Sequence, residues 1–430
     1  MSKNCSYNDK RALAHRTILT NPVLWVFLFS LLLNTVVEAQ NHDYIWYYGY
    51  DNDEEYPLFH GGQVSFHTNP PTASPKLRPI NIELYGHTMA DSSGTKVLYY
   101  SNGLHIYNRE DEIMLNGDTI NYNSWWEMVH PRPLISSLSG LSIPYPGRQN
   151  EYLYFHQPIE PIFTDTLTVP VDGVLYTHID MEGDNGLGEV VSKNNELFDG
   201  YSSPLGLTKT ADNSGWWLVH GTFADSVYYT YLVDSLGIHL TSVDTLPAEF
   251  YNWVDLPEFH DYRHAGFSPD GSLFAVFDNM HGIVLLDFDR CSGELSNARF
   301  YDINGTSASS SLVFSPNSRF IYHNNSGQLV QLDTRLAPNE NPMDTIANWD
   351  LYYFNNWFPF GNGFGAGVLG PDGKIYYANT NTSRHFHVVE RPNLPGQACG
   401  VRQYGFQLPT VNGGTVSYAP NYRLEPIDCE

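Results

Sequence analysis

Short apolar runs broken by turn residues pattern the chain, most clearly between Phe267 and Asp289. Phe267-Ser268-Pro269-Asp270-Gly271 leads into Leu273-Phe274-Ala275-Val276; after Asp278-Asn279-Met280-His281-Gly282 comes Ile283-Val284-Leu285-Leu286. In Ser-Pro-Asp-Gly, Pro presets φ, Asp bonds nearby backbone and Gly takes positive φ, so the turn is specified locally. The flanking runs are aromatic and β-branched, as strands are. The unit recurs at Phe314-Ser315-Pro316-Asn317-Ser318 before Phe320-Ile321-Tyr322, and at Leu369-Gly370-Pro371-Asp372-Gly373 before Ile375-Tyr376-Tyr377. Prolines 269, 316 and 371 are 47 and 55 residues apart. That period, with several short strands per unit, is the pattern of propeller blades, which bury their faces only by stacking on neighbours.

Three weaker copies precede these. They turn at Asp91-Ser92-Ser93-Gly94, at Tyr145-Pro146-Gly147-Arg148-Gln149-Asn150 and at Ala211-Asp212-Asn213-Ser214-Gly215. Positive φ is expected at Gly94, Gly147, Gly215, Gly271 and Gly373. Strand-like material remains at both ends, in 44–68 and in 404–422. A ring needs its last sheet closed, so strands from the two termini are expected to share a seventh blade. The expectation is one all-β propeller domain over residues 40–430, of seven four-stranded blades. Long helical periodicity is missing.

Residues 1–39 read differently. Lys3, Lys10, Arg11 and Arg16 precede an apolar run from Pro22 to Leu33, then Val37-Glu38-Ala39. This is the order of a secretory signal peptide, with cleavage expected between Ala39 and Gln40. The apolar run is shorter than the ~20 residues of a spanning helix, so no membrane span is expected after cleavage. Residues 1–39 hold four Lys/Arg and two acidic residues, Asp9 and Glu38; the remainder carries 18 basic against 45 acidic residues, a formal charge of -27. Such a surface repels nucleic acid and anionic membrane faces. Past Gln40 the cysteines are Cys291, Cys399 and Cys429. Cys399 and Cys429, both in the closing segment, are the expected pair, with Cys291 a buried thiol.

The order of several stretches resembles a propeller family of gliding, Bacteroidetes-type bacteria, whose members often carry type IX secretion sorting signals. The resemblance rests on Gly86-His87-Thr88-Met89-Ala90-Asp91, Leu98-Tyr99-Tyr100-Ser101-Asn102-Gly103, Gly186-Leu187-Gly188-Glu189-Val190, Gly370-Pro371-Asp372-Gly373-Lys374 and Tyr418-Ala419-Pro420-Asn421-Tyr422. It spans roughly Tyr44 to Asp428. It implies a secreted or surface-held propeller of the YVTN and WD40-like kind and brings no catalytic residue set. Members often continue into further modules and a C-terminal sorting domain, whereas this sequence closes on Pro426-Ile427-Asp428-Cys429-Glu430.

Candidate chemistry is sparse. Glu258, His260, Asp261 and His264 form the densest polar cluster and could serve acid–base work; polar groups gathered at a propeller axis are the structural reading. His385 and His387 alternate onto one strand face, offering two metal ligands with no third in sequence. Asp180-Met181-Glu182-Gly183-Asp184-Asn185-Gly186 resembles a calcium loop but lacks the Gly and Glu of an EF-hand at positions six and twelve. Asp51 to Glu55 is a second acidic loop. Trp125-Trp126 and Trp216-Trp217 could stack on sugars or pack between blades. No GxSxG, Walker A or dinucleotide fingerprint occurs. The expectation is an exported binding or scaffolding module for a protein or glycan, with no cofactor beyond a calcium ion. The alternative is a propeller enzyme on a lactone or polysaccharide, metal-dependent or not.

Overall fold

The computed structural model describes residues 40–429 apart from 53–55, 83–85, 131–139, 160–161, 164–166, 169–170, 223–226, 247–262, 279–281, 304–310, 326, 352, 356–357 and 362. The expected signal segment, the Ala39 side of its junction, and Glu258, His260 and Asp261 therefore lie outside the described residues.

Seven antiparallel sheets succeed one another along the chain as the blades of a propeller. Blades 3 to 7 are four-stranded. Their inner strands are Leu141–Pro144, Gly206–Lys209, Arg263–Phe267, Leu312–Phe314 and Phe364–Leu369. Blade 2 pairs His87–Ala90, Val97–Ser101 and Ile106–Asn108, and an isolated bridge from Tyr107 to Ile113 adds a fourth segment. Blade 1 pairs Ile45–Tyr48, Gly62–Ser65 and Thr72–Pro75.

Alternation builds the ring. Phe274 and Val276 pack toward Trp217 and Val219 of blade 4, while Ala275 and Phe277 pack toward Leu312 and Ile321 of blade 6. Successive side chains of a strand point to opposite faces, so each blade feeds two cores. Further cores join blade 6 to 7 through Tyr322 and Tyr377, blade 7 to 1 through Tyr376 and Trp46, and blade 1 to 2 through Tyr47 and Tyr100. Blades 2, 3 and 4 share one core containing Tyr99, Leu153 and Leu218. The sequence of interfaces returns to its start, which closes the ring. Trp216 and Trp217 are buried and split between two of these cores.

The repeated turn is a type I turn whose fourth residue is left-handed, the geometry of a three-residue hairpin loop with a bulge. Gly94, Gly271 and Gly373 have φ of 73°, 73° and 77°, and each donates its N–H to the carbonyl three residues back. Blade 4 differs from expectation. Asn213 (φ 59°) takes the left-handed position there and Gly215 does not, because the turn begins at Thr210. Asn tolerates this region better than other side-chain-bearing residues. At Gly271 a Cβ would also meet Thr208 Oγ1 at 2.6 Å and Arg290 Cδ at 2.8 Å. Gly271→Val is expected to cost ~1–3 kcal/mol in backbone strain alone, seen as a lower urea midpoint at unchanged m-value.

The closure joins both termini, by a different division of residues from the one expected. Val401–Asn412 is the outer strand of blade 7, paired with Ser383–Val389. That strand packs on blade 1 through Leu408 and Thr410, whose hydroxyl meets that of Tyr48 at 3.4 Å, and the residues beyond Asn412 continue onto blade 1. Thr415 Oγ1 donates to the Ile82 carbonyl, and Val416 lies in the core of Trp46, Tyr48, Val64 and Phe66.

Candidate functional site: the central channel

The C-terminal segment then runs along the channel. Tyr418 stands against His264 of blade 5, with ring centroids 4.8 Å apart. Tyr422 donates to the Ser142 carbonyl of blade 3 at 2.6 Å and packs edge-on against His42 and Trp216. Asn421 Nδ2 donates to the Pro269 carbonyl at 2.7 Å. Arg423 makes a two-pronged ion pair with Asp43, at 2.5 and 2.7 Å. Past the channel, Arg290 Nη2 donates to the Glu425 carbonyl, and the Ile427 N–H donates to the Ala211 carbonyl.

The segment ends in a disulfide between Cys429 and Cys291, with Cα atoms 5.8 Å apart. This corrects the expected Cys399–Cys429 pair. Crossing the ring carries Cys429 to the Asp289–Gly293 turn of blade 5, where Cys291 is exposed. Cys399 instead is the last residue of a short 3-10 turn, Gly396–Cys399, and is a free thiol in the core between blades 6 and 7.

A cavity of about 350 Å³ remains beside the segment, walled by the inner strands of blades 3 to 7 and by Tyr418 to Asn421. Pro269, Pro316 and Pro371, the prolines of the clearest repeat turns, stand along it. The wall is mostly apolar side chain and backbone. Its titratable groups among the described residues are Asp43, His156, His264, Tyr418 and Arg423. Asp43 and Arg423 hold each other. His156 lies between Asn121 Oδ1 at 2.6 Å and Thr177 Oγ1 at 2.9 Å, and burial lowers its pKa to about 3. His264 Nδ1 accepts the Leu312 N–H at 3.4 Å; burial lowers this ring to about 4, so it is neutral at pH 7.

The other candidates fall elsewhere. His387 is buried between Phe364 and Tyr404, and His385 also meets Tyr404. Among the described residues no cluster of three or more His, Cys, Asp or Glu stands ready for a metal. Asp180 to Gly186 forms a hairpin turn in which Asp180 Oδ1 accepts the Glu182 N–H and Arg109 donates to the Gly186 carbonyl. Asp51 and Asn52 are exposed, and Asn52 accepts the Arg78 N–H. Trp125 is buried in the helix Ser124–Val129, and Trp126 stacks on His130. No helix of the described residues is long and apolar enough to cross a membrane.

Sequence reasoning missed Arg78, which is fully buried and donates to the Tyr48 carbonyl at 2.5 Å inside blade 1. It also missed Tyr418 as part of the channel wall.

The sheets and their cyclic cores define a seven-bladed β-propeller with an internally lined channel. No family model matches the chain, and no curated protein matches it. Solved structures similar in fold include a protein from Lactobacillus plantarum (13% identity, TM-score 0.45, covering 86% of this chain and 97% of that one). The β-propeller domain of Myceliophteria thermophila Cps50 (Swd1) matches at 8% identity and TM-score 0.40, covering 74% and 87%. The Pseudomonas aeruginosa periplasmic gluconolactonase PpgL matches at 14% and 0.35, covering 67% and 76%. The fold assignment rests on the sheets rather than on these likenesses.

Proposed function

We propose that this chain is an exported β-propeller that binds a protein or glycan ligand at the cell surface or outside the cell, as the surface propellers of gliding bacteria that it resembles would. The observation carrying this reading is the channel wall. Its carboxylate is paired with its guanidinium, and its buried histidines are held neutral. Acid–base chemistry needs a poised, uncommitted pair of groups, and fold alone supplies none. The Cys291–Cys429 disulfide supports export, since such bonds persist in oxidising compartments. The enzyme alternative rests on His264, which reaches the cavity and comes after Glu258, His260 and Asp261 in sequence.

The test uses purified residues 40–430. Retention of ligands from a glycan and surface-protein array is expected, without turnover of D-glucono-δ-lactone or polysaccharides in the presence or absence of Ca²⁺ or Zn²⁺. Turnover that disappears on joint alanine substitution of His260, Asp261 and His264 would overturn the binding reading in favour of the enzyme.

A further inference from the structure

The inner strands of blades 3 to 7 are end members of their sheets, so one edge of each has no strand partner. Such an edge presents backbone N–H and C=O groups in alternation. Some of these groups are taken, as the Leu312 N–H is by His264 and the Ser142 carbonyl by Tyr422; the remainder offer uncharged donors and acceptors to the cavity. Two side chains add to them. His264 is nine-tenths buried, and its Nδ1 accepts a backbone N–H, so the neutral ring carries its proton on Nε2. That N–H has no protein partner among the described residues, and neither has the Tyr418 hydroxyl beside it. A ligand hydroxyl or carbonyl in the cavity would give these donors a partner.

Charge and size narrow the ligand. The nearby ions, Asp43 and Arg423, neutralise each other, so among the described residues no unpaired charged side chain on the wall stands ready for a phosphate or carboxylate. Leucine, valine and phenylalanine side chains and the Tyr418 ring supply apolar contact. A cavity of about 350 Å³ lies at the small end of ligand sites and has room for one sugar ring. We infer that the channel cavity is a binding site for a single neutral, hydroxyl-bearing ring, such as an uncharged monosaccharide or the terminal residue of a neutral glycan. Its hydroxyls are met by His264 Nε2, the Tyr418 hydroxyl and the free strand edges. This rests on the binding reading and gives it a ligand class.

Gly266 provides a clean test. It lines the cavity, its backbone is not left-handed, and a Cβ built there meets no atom within 4 Å. Gly266→Leu therefore occupies the cavity without clashing with the blade. The probes are D-glucose, D-galactose, D-mannose and D-xylose, with D-glucuronate and glucose 6-phosphate as charged counterparts, each titrated calorimetrically into residues 40–430. At least one neutral sugar is expected to bind, with roughly tenfold or greater preference over the charged counterparts, the factor one lost ion–hydroxyl match commands. Gly266→Leu should abolish that binding at an unchanged melting temperature. Should this variant fail to fold, Tyr418→Phe and His264→Phe serve in its place, each expected to weaken binding severalfold. Failure of every neutral sugar to bind, equal binding of the charged ones, or unchanged affinity in the folded variants overturns the inference. Array capture without sugar binding would sink the channel site alone, whereas sugar turnover would sink the binding reading itself.

Discussion

Deleting Gly414 to Glu430 is expected to lower the melting temperature by roughly 10 °C or more, or to abolish cooperative folding. The segment is not a surface tail. Val416, Tyr422 and Leu424 are buried, each in contact with a different part of the ring. At about 1.5–3 kcal/mol per buried side chain, these three contribute roughly 5–9 kcal/mol, comparable with the whole stability of an ordinary domain. The Arg423–Asp43 pair, the Tyr422 hydrogen bond and the disulfide go with them. Deletion also exposes the core face of blade 1 that Val416 covers. Differential scanning calorimetry of full-length and truncated mature chains decides the matter; coincident transitions would contradict the packing described.

The second large effect is acid lability. Burial lowers the pKa of His87 and His156 to about 3, and of His220, His264 and His323 to about 4, against 6.5 for an exposed ring. The folded state keeps these rings neutral, while the unfolded chain takes up protons as pH falls below 6.5. The unfolded state then binds more protons, so stability rises with pH across this window and is lost toward acid. At pH 5 each ring costs roughly 2 kcal/mol and the five together roughly 10 kcal/mol. Melting temperature should therefore fall steeply between pH 7 and 5. His323 gives an internal control: neither ring nitrogen has a hydrogen-bond partner, and the ring lies 5.5 Å from that of Phe277. His323→Phe should stabilise the protein at pH 5 and flatten the curve by one histidine's share. A melting temperature constant from pH 7 to 5 would contradict the burial of these rings.

The blades were legible because their turns are local. Ser-Pro-Asp-Gly sets its own backbone, and alternating apolar residues declare a strand with two buried faces. The same locality limits what can be read. Asn213 holds the left-handed position in blade 4 because the turn starts two residues earlier than its Asp-Asn-Ser-Gly string suggests. The disulfide could not be read from spacing, since pairing depends on where the chain's end travels. Residues 413–420 pair with no strand, although their sequence had read as strand-like, because they lie across the ring instead of joining a sheet. Nothing in the sequence around Arg78 marks it for burial, and only the folded blade supplies the carbonyls of Tyr48 and Gly49 that hold it. Of the polar cluster before blade 5, His264 reaches the cavity wall, while its three companions lie outside the described residues.

The place of the C-terminal segment in the channel is tested most directly by peptide mapping of the protein, expressed from Met1, without reduction. A disulfide-linked pair of peptides containing Cys291 and Cys429 is expected, with Cys399 alkylated only after denaturation and Gln40 at the new N-terminus. A Cys399–Cys429 linkage, or three thiols reactive in the native protein, would contradict the threaded channel and the cavity it shapes.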